Sequence, residues 1–401
     1  MPWTTILGVM LLVMTGGVLT LWLVIAYRVH RMASFEHSIR KGIDLPEPEG
    51  GWPKLSVIIP AHNEEAMIDR CVESLRTQAY PNLELIFVCD RCTDGTVEIL
   101  RKHAALDDRL VIIENESCPD DWAGKCNAAR LGATKATGAW LLFSDADTHF
   151  EKDLCRASMA RAIHEHYALV SLMTTLTTVH RFERIVQPVA SMNLMRMFPL
   201  KRINRKDGSR PFANGQFMLF NRDFYEQVGG HASVKDDLLE DIAISRVISD
   251  AGGRIGLFFA DHMLTCEMYD TFEAFKEGWK RIYIEACKRK PTRLRKLGFQ
   301  AIAMGGMAPI IQVGALGYVM ATWNQDRFMG LTLVVFVGVG WVTQIMTLMR
   351  INDLSGAPRL SAFAYPYANV VVGRIMFQAA RDLVRRKPIR WGGREYILEA
   401  R

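Results

Sequence analysis

Leu55-Ser56-Val57-Ile58-Ile59-Pro60-Ala61-His62-Asn63-Glu64-Glu65 sets a short apolar run directly against a polar, acidic end. A β-branched run of this length, bounded by Pro60, reads as a strand buried on both faces. Outward from it the same grammar repeats. Residues 64–79 read as a helix with Ile68, Val72 and Leu75 on one face, and 83–88 as a second strand. Residues 93–103 read as a helix, 110–113 as a strand, 125–136 as a helix and 140–143 as a strand. Alternating strands and helices are satisfied by an α/β fold, a mostly parallel sheet with flanking helices. In such sheets ligands bind beyond the carboxyl ends of the strands, so the chemistry is sought there.

Three strand ends carry it. They are Pro60-Ala61-His62-Asn63-Glu64-Glu65, Asp90-Arg91-Cys92-Thr93-Asp94-Gly95-Thr96 and Ser144-Asp145-Ala146-Asp147-Thr148. A lone Asp-x-Asp is commonly a solvated turn. Three acidic strand ends on one sheet edge favour a shared function, in which Asp145 and Asp147 hold a hard divalent cation beside a diphosphate. There the cation neutralises a leaving group.

Composition narrows the classes. The chain has 401 residues, 49% hydrophobic and 23% charged, with a formal net charge of +6. No long basic run with interleaved aromatics is present, so a nucleic-acid partner has no support. The eight cysteines are scattered apart from Cys89 and Cys92, and one such pair without histidines is weak evidence for zinc. Reduced thiols in a cytosolic compartment are the simpler reading.

Apolar residues gather at the two ends. Residues 6–26 carry no charge and are long enough to cross a bilayer. Arg28, His30 and Arg31 follow, which sets the N-terminus outside and the rest of the chain towards the cytoplasm. Residues 299–323, preceded by Arg293, Arg295 and Lys296, and residues 329–349 read as a spanning hairpin around Asn324-Gln325-Asp326-Arg327. Residues 360–380 contain Pro366 and Arg374 and lead into Arg381, Arg385, Arg386, Lys387 and Arg390, so they are expected to be interfacial or re-entrant. The expected organisation is a transmembrane anchor at 1–30, a juxtamembrane linker at 31–52, a cytoplasmic catalytic domain at 53–286, an amphipathic segment and transmembrane hairpin at 287–350, and an interfacial helix with a basic tail at 351–401. The expected location is the inner (plasma) membrane, multi-pass.

The strand-end motifs, in this order over roughly 230 residues, resemble the GT-A fold of family 2 glycosyltransferases. Asp121-Trp122-Ala123-Gly124-Lys125, Ala213-Asn214-Gly215-Gln216-Phe217, Gly229-Gly230-His231 and Leu239-Glu240-Asp241-Ile242 are similar to the membrane-bound branch that glycosylates lipids. So is the closing Arg390-Trp391-Gly392-Gly393-Arg394-Glu395-Tyr396. That branch includes the ceramide, carotenoid and hopene-associated glycosyltransferases. The resemblance implies that Pro60, Ala61, Asn63, Glu64 and Asp90 frame the nucleotide of a UDP-sugar. Lys125 and Asp145 then lie by the donor, and Asp145 and Asp147 hold Mg2+ or Mn2+. It assigns Asp241, with Glu240, as general base, and inversion at the anomeric carbon. Independently of it, a hydroxyl acceptor needs a carboxylate to take its proton; two acids opening a helix also serve simply as partners of the helix dipole.

The chain departs from that pattern at Cys89-Asp90, where many relatives have two aspartates. The Gln-x-x-Arg-Trp motif is also absent in that form. Gly278-Trp279-Lys280-Arg281 occupies its usual place on the chain, and a near match, Lys387-Pro388-Ile389-Arg390-Trp391, comes only after the C-terminal apolar segments. Trp279, Lys280, Arg390, Trp391 and Arg394 therefore offer a cation to the diphosphate and an indole to a sugar, with Asn214 and Gly215 beside the acceptor. Interfacial anchoring explains Trp279 equally well, whereas the 390–394 cluster is read towards function. His62 and His231 are loop histidines with either a structural or a contact role. The Met-rich stretch 189–200 reads as an interfacial helix or as core, and the basic 201–206 as a solvated loop. The expected activity is transfer of a single sugar to a hopanoid, carotenoid or sphingolipid-like acceptor. The alternatives are a polyprenyl-phosphate or polysaccharide acceptor, or a non-catalytic membrane scaffold.

Overall fold

The chain begins with α1 (Trp3–Met32), and residues 3–205, 210–391 and 394–400 of the computed structural model are described. Next come β1 (Leu55–Ala61), α2 (Ile68–Arg76), β2 (Leu83–Asp90), α3 (Thr96–Ala104), β3 (Leu110–Asn115), α4 (Gly124–Lys135) and β4 (Trp140–Phe143). They are followed by β5 (Thr148–Phe150), α5 (Leu154–His164), β6 (Leu169–Met173), β7 (Thr175–Leu176), α6 (Arg181–Ile185) and α7 (Gln187–Met197). Then come α8 (Leu200–Ile203), β8 (Met218–Asn221), α9 (Arg222–Gln227), α10 (Glu240–Asp250), β9 (Ile255–Phe259) and β10 (Leu264–Cys266). The last elements are α11 (Phe272–Ala286), α12 (Pro291–Thr322), α13 (Arg327–Ser355), α14 (Tyr365–Val384), β11 (Ile389–Trp391) and β12 (Arg394–Tyr396).

The main sheet has the order β3-β2-β1-β4-β8-β6-β9. β1 pairs in parallel with β2 and β4, β2 with β3, and β6 with β9; β8 alone runs antiparallel, between β4 and β6. Leu55, Val57, Ile58 and Ile59 are fully buried because helices cover both faces, the reason the strand is apolar without alternation. A small second sheet, β5-β10-β7, stands at the carboxyl edge and continues from the turn after β4.

α2 starts later than expected, at Ile68. The amide of Glu64 donates to Thr96 Oγ1 at 2.8 Å and that of Glu65 to Asp94 Oδ2 at 3.0 Å, so two strand-end loops are stitched together where a first helical turn was expected. α7 is buried at Val189, Ala190, Asn193, Leu194 and Met197 and packs against α11, α13 and α14, which makes the Met-rich stretch core rather than an interfacial surface.

α1, α12 and α13 are each long and apolar enough to cross a membrane. They pack together: Tyr318 donates to the Thr4 carbonyl at 3.0 Å, and Trp341 Nε1 donates to Gln312 Oε1 at 2.5 Å. α14 runs antiparallel to the first half of α12, with Gly305 against Asn369 and Gly298 against Gly373, Met376 and Phe377. Its far end is tied to α11 by Lys280 and Asp382 at 2.7 Å.

Residues 33–44 are clamped rather than loose. The buried guanidinium of Arg161 donates to the carbonyls of Ser38 and Glu36 at 3.1 and 3.2 Å and lies over the Phe258 ring. Ser38 also bonds to Asp261 at 2.9 Å and forms a bridge beside Phe259 at the sheet edge.

α4 approaches the sheet through Gly132, where a Cβ would stand 2.3 Å from Ile58 Cγ2. Gly132→Ala is expected to destabilise the chain by about 1–3 kcal/mol through overpacking. The readout is the thermal unfolding midpoint, with Gly306→Ala, which meets nothing within 4 Å, left unchanged as control.

Candidate active site

Lys125, in the first turn of α4, is the hub of the carboxyl edge. Its Nζ lies 2.7 Å from Asp145 Oδ1 and 2.6 Å from Glu240 Oε1. Burial opposes the charge of Lys125, but the two carboxylates outweigh it and hold the ammonium well above its usual range. Burial likewise works against a charged Glu240; the Lys125 ammonium more than offsets it, so that carboxyl is held below its ordinary value.

Asp241 is the next residue on α10. Its Oδ2 accepts the Gly215 amide at 2.8 Å and its Oδ1 accepts the Ile242 amide at 2.7 Å, which fixes the carboxylate's plane. Burial, then the Glu240 charge, push its carboxyl up to about 7. A Cβ on Gly215 would stand 3.0 Å from Lys125 Nζ and 3.3 Å from both Asp241 Oδ2 and Glu240 Oε1, so this glycine keeps the centre open. Asn214 does not point a free amide at an acceptor: its Nδ2 donates to the Leu172 carbonyl at 3.0 Å, to Thr174 and to Gln216, shaping the turn that carries Gly215.

On the other side lie Asp145 and Asp147, in the turn between β4 and β5. Thr148 Oγ1 donates to the Asp145 carbonyl at 2.6 Å, and Ser144 Oγ donates to the Gln216 carbonyl at 2.6 Å, which pin that turn. Asp147 Oδ1 is buried without a hydrogen-bond partner among the described residues. Burial, then the charges of Asp145 and Glu64, push its carboxyl up to about 8. Glu64 responds alike, raised to about 7 by burial and then by Asp145. These three carboxyls share one electrostatic site, in which the Lys125 ammonium pairs with Asp145. Among the described residues no three His, Cys, Asp or Glu side chains are grouped to hold a metal by themselves.

Asp90, at the end of β2, frames the neighbouring pocket. It is 3% exposed, and its Oδ2 accepts from Arg91 Nη2 at 2.6 Å while its Oδ1 accepts from Asn115 Nδ2 at 2.6 Å. Gly124 is why α4 comes so close: a Cβ there would meet Arg91 Nη2 at 2.8 Å and Asp90 Oδ2 at 3.3 Å. Asp90 is thereby joined through Gly124 and Lys125 to Asp145 and Glu240. Pro60 and Ala61 close β1 and the Ala61 carbonyl accepts from Cys92 Sγ at 3.5 Å, while Asn63, at φ +57°, accepts the Thr93 amide at 2.8 Å. His62 Nδ1 contacts the Asp90 carbonyl at 2.6 Å, a bracing role.

Three expectations from the sequence land elsewhere. Trp279 is 3% exposed and sits between Phe275 and Tyr283, so it neither stacks on a ligand nor anchors at a surface. The ammonium of Lys280 is bound to Asp382 and Glu277, at 2.7 and 2.8 Å, away from the acidic centre. His231 is buried, its ring 4.5 Å from that of Phe143 and bonded to the Tyr225 hydroxyl at 2.8 Å. Its neighbours are aromatic, and burial lowers its pKa to about 4, so it is a neutral core residue. The backbones of Arg390, Trp391 and Arg394 form the β11–β12 hairpin, but their side chains lie outside the described residues.

Four positions escaped the sequence reading. Arg91 and Asn115 hold Asp90; both directly follow or end a strand, the only signal they carry. Gln216 donates to Cys266 Sγ at 2.9 Å, and Cys266 lines the same small cavity as Asp147. Neither residue type advertises such a role.

Residues 56–229 match the profile described as Glycosyl transferase family 2. The 4,4'-diaponeurosporenoate glycosyltransferase of Staphylococcus aureus (strain MRSA252) is 25% identical over 352 residues, spanning 86% of this chain and 88% of the relative. The mannosyltransferase PcManGT from Pyrobaculum calidifontis, solved with GDP-Man and Mn2+, is 17% identical, with a TM-score of 0.48 over 91% of this chain and 99% of its own. TarS 1–349 of S. aureus with UDP-GlcNAc is 13% identical, with a TM-score of 0.41 over 86% and 96%. The chain is a glycosyltransferase, and its central residues 56–229 are similar to the family 2 domain.

Proposed function

We propose that the protein transfers one sugar, with inversion, from a UDP-sugar such as UDP-glucose to the polar end of a membrane lipid of the hopanoid, carotenoid or sphingolipid-like kind. The observation that carries this reading is the joining of Asp90, Lys125, Asp145, Glu240 and Asp241 in one pocket at the sheet's carboxyl edge. The name of the S. aureus relative supports a carotenoid-type acceptor. A lipid acceptor is supported by a short physical path as well. Gly356, which closes α13 in the left-handed conformation, packs against Thr175 of β7; β7 pairs with β10, and Cys266 of β10 pairs with Thr148, the residue after Asp147. The acidic centre thus stands two strands away from the end of an apolar helix.

In the proposed reaction Asp90, with Pro60, Ala61 and Asn63, seats the nucleoside. The partnerless, buried Asp147 Oδ1, beside Asp145 and Glu64, would hold a divalent cation such as Mg2+ or Mn2+. When bound, that cation supplies charge neutralisation of the departing diphosphate. Asp241, held in plane by the Gly215 amide, takes the proton of an acceptor hydroxyl as its oxygen attacks the anomeric carbon. The bond from that carbon to the diphosphate oxygen breaks, and its electron pair leaves with the UDP. Lys125 keeps Glu240 ionised and paired, so that Asp241 is the carboxylate left to accept a proton.

Purified protein with UDP-glucose and Mn2+ in detergent is expected to release UDP, and Asp147→Ala to lower that release at least about 100-fold. Equal release from the two would sink the proposal. The raised carboxyls also set a pH signature for cation binding. Raised acids favour the folded state below the unfolded pKa of about 4, and that stability is lost as pH rises through about 7 to 8. In chelator the unfolding midpoint should therefore fall between about pH 5 and about pH 8, and Mn2+ should restore it more at the upper end. Asp147→Asn should flatten both trends.

Asp241 must be ionised to act as base, so with a hydroxyl acceptor kcat/KM is expected to rise through about pH 7 and level off above it. A carboxylate acceptor, which has no proton to give, would leave the profile flat across that range.

A further inference from the structure

We propose that the outer face of α14 is a docking site for anionic phospholipid headgroups, separate from the acceptor site. The inference rests on the reading that α1, α12 and α13 cross the bilayer with Arg28 at its inner edge. Arg374, Gln378, Arg381 and Arg385 recur at intervals of four, three and four residues and so form one stripe along the helix. The three arginines are exposed, and among the described residues none forms an ion pair. They line a broad open cleft of about 910 Å³ with Phe377, Gln378, Lys387 and one acid, Asp382.

An ordinary solvated helix face mixes charges of both signs, because like charges a turn apart repel. Here the one acid lining the cleft, Asp382, is already paired with Lys280, so the stripe keeps a net positive charge. Two further exposed cations, Arg295 and Lys296, lie on the antiparallel helix α12 beside it, three and two residues before Gly298, which packs on Gly373. A surface of this kind calls for an anionic partner that lies alongside it.

The height of the stripe selects the partner. Tyr365, which opens α14, packs edge-on against Trp22 of α1 at 5.6 Å. Arg28 follows Trp22 by roughly 9 Å of helix, and Arg374 follows Tyr365 by roughly 13 Å in the same direction. Arg374 thus emerges within about one turn of the Arg28 level, in the headgroup layer, and its neighbours continue outward from there. Before it, Leu360 and Phe363 of the 3-10 helix Arg359–Ala364 and Tyr367 in the first turn of α14 are exposed, an apolar flank suited to the acyl boundary directly above. An apolar flank followed by uncompensated arginines matches a phospholipid with a charged head.

The test uses the full chain in nanodiscs of phosphatidylcholine containing phosphatidylglycerol, with lipid retention read by native mass spectrometry. Wild type should retain phosphatidylglycerol in preference to phosphatidylcholine. Arg374→Gln, Arg381→Gln and Arg385→Gln together should weaken that preference roughly 100-fold, at about fivefold per charge. The triple lysine variant at the same positions should keep the preference, and Lys102→Gln with Lys135→Gln, far from α14, should leave it unchanged. An unchanged preference in a glutamine variant whose unfolding midpoint and UDP binding match wild type would overturn the inference. A wild-type chain that does not enter nanodiscs at all would overturn the membrane reading and this inference together, while UDP release in detergent would stand.

Discussion

One buried ammonium governs the arrangement of this protein. Lys125 belongs to α4, Asp145 to the turn after β4 and Glu240 to α10, and the cation holds all three within hydrogen-bonding distance. Taking such charges out of water is costly unless each finds its opposite. The fold therefore closes correctly only when these three stretches meet, and in meeting they create the pocket. Gly124 and Gly215 serve the same end from either side, since a methyl group on either would intrude on the charged centre. Structure and chemistry share one interaction here, so the site is rigid before any donor arrives.

The balance of charge in the pocket is uneven by design of its surroundings. Lys125 neutralises Glu240 and one side of Asp145, and leaves Asp147, Glu64 and Asp241 as carboxyls under strain from burial. Two of these lie towards the β4–β5 turn and one towards the Gly215 turn. Separate environments give similar groups separate tasks: one side suited to a cation and diphosphate, the other to a proton.

Much of this was legible in the chain. The buried strands announced themselves because a sheet covered on both faces needs unbroken β-branched runs, and Asp145, Asp147, Glu240 and Asp241 stood out as acids at element ends. What escaped was decided by direction rather than by type. Trp279 and Lys280 form an aromatic–basic cluster next to an apolar helix, a pattern that looks identical whether it faces a ligand or a core. Only the rotation of α11 places the indole between Phe275 and Tyr283 and the ammonium on Asp382. Asn115 and Gln216 were silent because their value lies in a single well-aimed amide. The late start of α2 was hidden for a related reason: Thr96 and Asp94, some thirty residues away, hold the amides of Glu64 and Glu65 in a loop.

The grip of Arg161 on the carbonyls of Glu36 and Ser38 has a geometric corollary. A catalytic head on a slack tether would sweep a volume and meet acceptors at many depths. This one is bolted to the base of its first helix. On the proposed reading, with that helix across a bilayer, Asp241 would hang at a set altitude over the lipid and acceptors would be sorted by the depth of their reactive oxygen.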